Sequence, residues 1–202
     1  APGTFQHVMQ VEDLCEEALY KIGGNMLLAR TGAMYHDIGK INNPLYFTEN
    51  QVNKFNYHDD VSNIESAQII INHVLDGIEI CRKFHIPEDI IDFVRTHHGT
   101  RRTEYFYQME LKENPGEEVN EADFRYHGPI PFSKETAVLM MADSVEAASR
   151  SLSDKTEESI SKLVDGIIDA QVKDNQFINT DLTFRDVTVI KKVFKKKLMN
   201  IY

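Results

Sequence analysis

Apolar residues recur at intervals of three and four along most of this chain, a period that predicts helices. From Val8 to Ile22 the positions Val8, Val11, Leu14, Ala18, Leu19 and Ile22 form one stripe, an amphipathic helix with His7 near its start and Gly23 and Gly24 at its end. A second helix, from about Met26 to Ile38, is apolar on most sides, which predicts a central position before Gly39 breaks it. The segment from Asn42 to Val61 is rich in Asn and Asp, has a proline at 44, and reads as an ordered loop with at most a short helix. Ser62 caps a third helix running to about Phe84, with Glu65 completing a capping box. Pro87, tolerated at a first helical position, starts a fourth helix that runs through Ile90, Ile91 and Val94 to His97 and His98.

Gly99 to Phe132 is the least regular stretch, either a partial lid or an ordinary surface excursion. A helix follows from about Ser133 to Leu152. The tail from Asp181 to Tyr202 spaces Val187, Ile190, Phe194, Leu198 and Ile201 as a packing face. Its lysines, Lys191, Lys192 and Lys195 to Lys197, read as the solvated side, with contact to anionic lipid the weaker alternative.

The predicted class is therefore all-α. A length of 202 residues and 42% hydrophobic content fit one large domain over residues 1–202. Cys15 and Cys81 lie far apart in no paired or metal-like spacing, so they read as reduced, buried thiols of a cytosolic protein. No apolar run approaches the roughly 20 residues that span a bilayer, so the chain as given reads as soluble. It begins Ala-Pro-Gly, which suggests a fragment or a processed product. A formal net charge of -10 argues against a general nucleic-acid binder, which displaces counterions from phosphates with a basic face. A small anionic substrate stays compatible, because cations within a cleft invert the local potential. No internal repeat, Walker-type loop or Gly-x-Ser-x-Gly elbow occurs, and neither cysteine sits in a nucleophile motif.

Chemistry is instead concentrated in His7, the adjacent pair His36 and Asp37, His73, the adjacent pair His97 and His98, and Asp143. A lone His-Asp dipeptide carries little weight. Here, however, each of the others lies in or beside an apolar helical stretch, where an uncompensated imidazole or carboxylate is costly to bury. The histidine doublet is harder still to explain as packing, since it ends an apolar run with two imidazoles at one helix terminus. Imidazoles and carboxylates hold hydrolytic ions such as Mn, Fe, Zn or Co, and seven ligands exceed what one ion needs. Two ions are the simplest reading. His58, His85 and His127 lie in polar or turn-like surroundings and read as surface residues or as residues behind the ligands.

The stretches Gly3 to His7 (GTFQH), Leu28 to Gln51 (LARTGAMYHDIGKINNPLYFTENQ), Ile91 to Thr100 (IDFVRTHHGT) and Ser133 to Leu152 (SKETAVLMMADSVEAASRSL) resemble the HD-domain superfamily of metal-dependent phosphohydrolases. Within it they are most similar to the cytosolic HD domain of the seven-transmembrane HD phosphodiesterases, which hydrolyse cyclic di-AMP. The resemblance implies an HD-domain helical bundle around a two-metal site. One ion would take His7, His36, Asp37 and Asp143, the other Asp37, His73, His97 and His98, with Asp37 bridging. It also implies that Asp37 and Lys40 are catalytic, Lys40 contacting phosphate; a solvated helix-end lysine is the bland alternative. Arg101 and Arg102 are candidate substrate contacts.

The related HD-GYP subgroup carries a Gly-Tyr-Pro motif after its paired histidines, whereas this chain has Gly99-Thr100 there and no Gly-Tyr-Pro anywhere. That departure disfavours cyclic di-GMP. The expected activity is hydrolysis of cyclic di-AMP to linear pApA with two divalent ions, Mn or Fe. Two rivals stay open: an HD phosphohydrolase acting on a mononucleotide or a nucleic-acid end, and a non-catalytic cyclic-dinucleotide sensor, against which the intact ligand set argues. The resemblance further implies membrane helices upstream, placing this domain on the cytosolic side of the membrane. Oligomeric state is left open, with a dimer allowed.

Overall fold

The computed structural model describes residues 1–51 and 55–201. Residues 52–54, inside the expected Asn42–Val61 loop, and Tyr202, the end of the expected tail helix, lie outside the described residues. Among the described residues the chain forms eight α-helices and no strand. They are α1 (Pro2–Ile22), α2 (Met26–Tyr35), α3 (Asn63–Lys83), α4 (Glu88–Thr96), α5 (Glu104–Glu113), α6 (Lys134–Arg150), α7 (Glu157–Lys173) and α8 (Phe184–Ile201). The fold is all-α, as expected.

α1 begins at Pro2, well before its apolar stripe, because proline's fixed φ suits a first helical position. His7 therefore sits more than one turn inside the helix. Its buried face, Val11, Leu14, Cys15, Ala18 and Leu19, packs against α2, α6 and α8. The capping box predicted at Ser62 and Glu65 is present, and a second one joins Ser133 to Thr136 at the start of α6.

The central helix is α6, not α2. Ala137, Val138, Leu139, Met140, Met141 and Ala142 are fully buried, and α6 packs on α1, α2, α4, α7 and α8. In α2 only Ala29, Gly32 and Ala33 are buried, whereas Leu27 and Met34 are 73% and 53% exposed. The small residues make a notch: a Cβ on Gly32 would lie 2.2 Å from the Phe93 ring, so α4 drops its phenylalanine onto the α2 backbone. Apolar content around α2 thus overstated its burial.

Two helices depart from expectation. α5 and the 3-10 turn Glu121–Phe124 occupy the stretch that looked irregular, and Phe124 packs there with Ala67 and Ile71 of α3. α7, which was not anticipated, buries Ile160, Val164 and Ile168 in the main core beside Ile190, Phe194 and Leu198 of α8. Lys191 and Lys195 are not simply solvated: Lys195 Nζ lies 2.6 Å from Asp165 and Lys191 Nζ 2.5 Å from Asp169, tying α8 to α7.

Candidate metal centre

Helix endings deliver three of the histidines. α2 stops at Tyr35, His36 closes it in helical conformation, and Asp37 leaves that conformation to open a 3-10 turn over Ile38–Ile41. α4 stops at Thr96, so His97 and His98 emerge from its C-terminus before Gly99 turns the chain at φ 53. His73 lies within α3 and Asp143 within α6. The turn after Asp37 rests directly on α3: a Cβ on Gly39 would lie 1.8 Å from the His73 carbonyl oxygen and 2.6 Å from the Gly77 nitrogen. Only glycine allows that approach, and it brings Asp37 up to His73.

The seven predicted ligands converge. One atom each from His7, His36, Asp37 and Asp143 lie within 4.8 Å of one another, and His73, His97 and His98 form a second such group. Asp37 faces both. Its Oδ2 is 3.5 Å from His7 Nε2 and 3.4 Å from His36 Nε2, while its Oδ1 is 3.4 Å from His73 Nε2 and 3.6 Å from His97 Nε2. Asp143 Oδ1 is 3.0 Å from His7 Nε2, and its Oδ2 is 3.7 Å from His98 Nδ1.

Local hydrogen bonds fix which nitrogen faces inward. His36 Nδ1 donates to the Ala33 carbonyl at 2.7 Å, His97 Nδ1 to that of Val94 at 2.8 Å, and His73 Nδ1 to that of Ile70. Their Nε2 atoms therefore face the centre, where each offers a lone pair to a cation once unprotonated. His73 Nε2 and His97 Nε2 then face each other at 3.1 Å, lone pair against lone pair, an arrangement that calls for a shared cation. His36 Nε2 and both Asp37 carboxylate oxygens are buried without a hydrogen-bond partner. Lys40 Nζ is 2.7 Å from Asp37 Oδ2, an ion-pair contact outside hydrogen-bonding angles. This donor set fits divalent first-row ions.

Electrostatics divide the two groups. Burial opposes charge on His36, yet Asp37 and Asp143 outweigh it and raise its pKa to about 10. Burial, reinforced by His36 and His73, pushes His97 down to about 3, and burial with His97 pushes His98 well below its usual range. Against their burial, Lys40 and His36 hold the Asp37 carboxyl well below the carboxylate range, and His36 and His7 do the same for Asp143. Lys40, against its burial, is raised by Asp37 and Glu49. It is wedged between Asp37 and Glu49, 2.8 Å from the latter, so the solvated helix-end reading of Lys40 does not hold.

A cleft of about 630 Å³ opens beside His98, walled by Phe47, Glu49, His58, Arg101, Arg102 and Tyr126. Arg101 lies 3.7 Å from Asp174, and Arg102 pairs with Glu104 and Glu121 while lying over the Tyr107 ring. His58 belongs to the cleft wall, its Nε2 bonded to the Tyr46 carbonyl at 2.8 Å, whereas His85 and His127 are exposed. Three neighbours were not anticipated. Glu146 contacts His7 Nδ1, Glu49 holds Lys40, and Tyr126 stacks on His98 with ring centroids 4.2 Å apart. Glu146 had a sequence signal, one turn after Asp143 on the same helix face.

Comparison with known proteins agrees with this geometry. The HD domain family model matches residues 4–148. The chain is 44% identical over 202 residues to the cyclic-di-AMP phosphodiesterase PgpH of Listeria monocytogenes, and 45% identical over 201 residues to that of Bacillus subtilis. All of this chain is covered in both matches, but it spans only 28% of either relative's length. The crystal structure of the L. monocytogenes PgpH HD domain in complex with cyclic-di-AMP superposes with a TM-score of 0.96 at 44% identity, covering 100% of this chain and 94% of that one. A second crystal structure of the L. monocytogenes PgpH HD domain superposes with a TM-score of 0.94 at 44% identity. No helix among the described residues is long and apolar enough to cross a membrane. With its paired His/Asp groups and a family match over most of its length, this chain belongs to the HD domain family.

Proposed function

We propose that the domain is a metal-dependent phosphodiesterase that opens a cyclic dinucleotide, cyclic di-AMP, to linear pApA. The observation that carries this reading is the Asp37 carboxylate, whose two oxygens face two separate histidine groups. His7, His36, Asp37 and Asp143 would hold one divalent ion and Asp37, His73, His97 and His98 a second, Mn or Fe. When bound, such a pair supplies charge stabilisation to phosphate oxygens and acidity to an attacking water. Lys40 sets an ammonium against Asp37 at the edge of the site, where it offsets charge on a nonbridging phosphate oxygen. The cleft beside His98 receives the nucleotide, and Arg101 and Arg102 exchange part of their pairing with carboxylates for substrate.

Support for cyclic di-AMP comes from the PgpH HD domain that was solved with it. The reading extends to a longer, membrane-held polypeptide with this domain on the cytosolic side, in keeping with the resemblance described above. The test is turnover of the purified domain, loaded with Mn²⁺, against cyclic di-AMP, cyclic di-GMP and mononucleotides. Cyclic di-AMP is expected to be converted to pApA faster than any other member of the panel. Binding without turnover, or preference for a mononucleotide, overturns the proposal.

A further inference from the structure

Four of the five histidines of the centre are held in one of two ways. His36, His73 and His97 each use Nδ1 on the carbonyl three residues back, so their own chain segment fixes the ring. His7 does not. Its Nδ1 contacts Glu146 Oε2, contributed by α6 from the far end of the match. Glu146 is fully buried, and its other oxygen accepts from Arg150 Nε at 2.7 Å, with Arg150 Nη2 in ion-pair contact at the same distance. Asp143, Glu146 and Arg150 thus follow one stripe of α6 at spacings of three and four. The first reaches the centre, the second backs His7, and the third anchors the second.

We infer that Glu146 is a positioning residue: it orients His7 and strengthens Nε2 as a donor, selectively for the ion held by His7, His36, Asp37 and Asp143. The inference rests on the two-ion reading proposed above. A bond to a carboxylate is roughly twice as strong as one to a neutral carbonyl, and it shifts electron density toward the far ring nitrogen. His73 and His97 are backed by backbone carbonyls instead, and the group they form with His98 does not depend on Glu146. Burying a full carboxylate is costly unless it is paired, and here both its partners, His7 and Arg150, are in place.

The test is Mn²⁺ titration of the metal-stripped domain, followed by calorimetry and electron paramagnetic resonance, in the parent and in Glu146→Gln. Glutamine keeps the shape and an acceptor oxygen but removes the charge. The parent is expected to take two ions. The variant should keep one at parental affinity and bind the other about 10- to 100-fold more weakly, with mononuclear Mn²⁺ signals where the parent shows a coupled pair. Unchanged affinity for both ions, or equal weakening of both, overturns the inference and leaves the two-ion reading standing. A parent that binds fewer than two ions overturns both together. A second measurement needs no variant: nitrogen-15 spectra of the Zn²⁺-loaded parent should show His7 protonated at Nδ1, its proton further downfield than those of His36 and His97. An Nε2-protonated His7, or an Nδ1 proton no further downfield, refutes the assignment.

Discussion

Replacing Gly39 by alanine adds one methyl group to the turn that carries His36 and Asp37. On the present backbone that carbon would lie 1.8 Å from the His73 carbonyl oxygen, 2.8 Å from its carbonyl carbon and 2.6 Å from the Gly77 nitrogen. All three are backbone atoms of α3, so no side chain can swing aside. Gly39 lies outside the left-handed region, and the substitution therefore tests close approach alone. Restoring ordinary contact requires turn and helix to separate by about 1.5 Å, whereas Asp37 Oδ1 now sits 3.4 Å from His73 Nε2. Overpacking of this kind costs about 1–3 kcal/mol, and clash with backbone puts Gly39→Ala near the upper end.

For a domain of this size, about 3 kcal/mol corresponds to a fall of roughly 6–12 °C in Tm. A misplacement near 1 Å at a reacting centre costs about 100-fold in rate. Thermal unfolding of the metal-free protein and turnover of cyclic di-AMP with Mn²⁺ measure the two effects separately. Gly77→Ala is the comparison, because its added carbon first meets the Val94 side chain, 2.8 Å away, which can adjust. It should cost less on both counts. A Gly39→Ala variant within about 1 °C and threefold of the parent would refute the argument that backbone contact positions Asp37.

Asp37→Ala removes the group that faces both histidine sets and should abolish turnover while circular dichroism still reports a helical fold; residual activity within about tenfold, roughly 1.4 kcal/mol of barrier, contradicts bridging. Lys40→Met leaves Asp37 and Glu49 without their cation and should destabilise the metal-free domain by about 3–5 kcal/mol, less once Mn²⁺ supplies compensating charge. Equal destabilisation with and without Mn²⁺ counts against it. Stability of the metal-free domain should peak near pH 6.5, the pKa of an unfolded histidine. Above that, folded His36 keeps its proton up to about 10 while the unfolded chain loses it, so stability falls as pH rises. Below it, the unfolded chain protonates while folded His97 stays neutral down to about 3, so stability falls as pH drops. A monotonic rise through pH 6 to 9 in chemical unfolding would refute this sign.

The seven candidate ligands were legible because each is a polar residue set in apolar helical context, a conflict visible without coordinates. Helix starts at Ser62 and Ser133 were legible for a similar reason, since a capping box is local chemistry. What escaped depends on packing between distant segments. α5 buries no residue fully, so its Phe106 and Tyr107 give no continuous stripe to read. α7 is different: Ile160, Val164 and Ile168 recur at four, and Thr156 caps it, so its signal was there to be used. Glu49 reaches Lys40 through the loop geometry, and Glu146, although one turn past Asp143, meets a His7 that lies 139 positions away. The centrality of α6 over α2 likewise turns on Phe93 seated against Gly32, a contact no periodicity encodes.

The geometry also shows why helix ends suit this centre. The last carbonyls of a helix lack ordinary intrahelical donors and must be satisfied otherwise. His36 and His97 each follow a helix directly and donate Nδ1–H to a carbonyl of its final turn, Ala33 and Val94. One bond therefore satisfies a backbone acceptor, fixes the ring, and leaves Nε2 free to face the centre. The same two helix ends point their partial negative charge toward the region where cations would gather, an added stabilisation of about 0.3–1 kcal/mol each. His7, inside its helix rather than at its end, has neither advantage, and it is the one of the four backed by a carboxylate. Capping and ligation are thus met by the same atoms at α2 and α4, whereas of the two histidines inside helices His73 leans on its own Ile70 carbonyl and His7 on the charged Glu146.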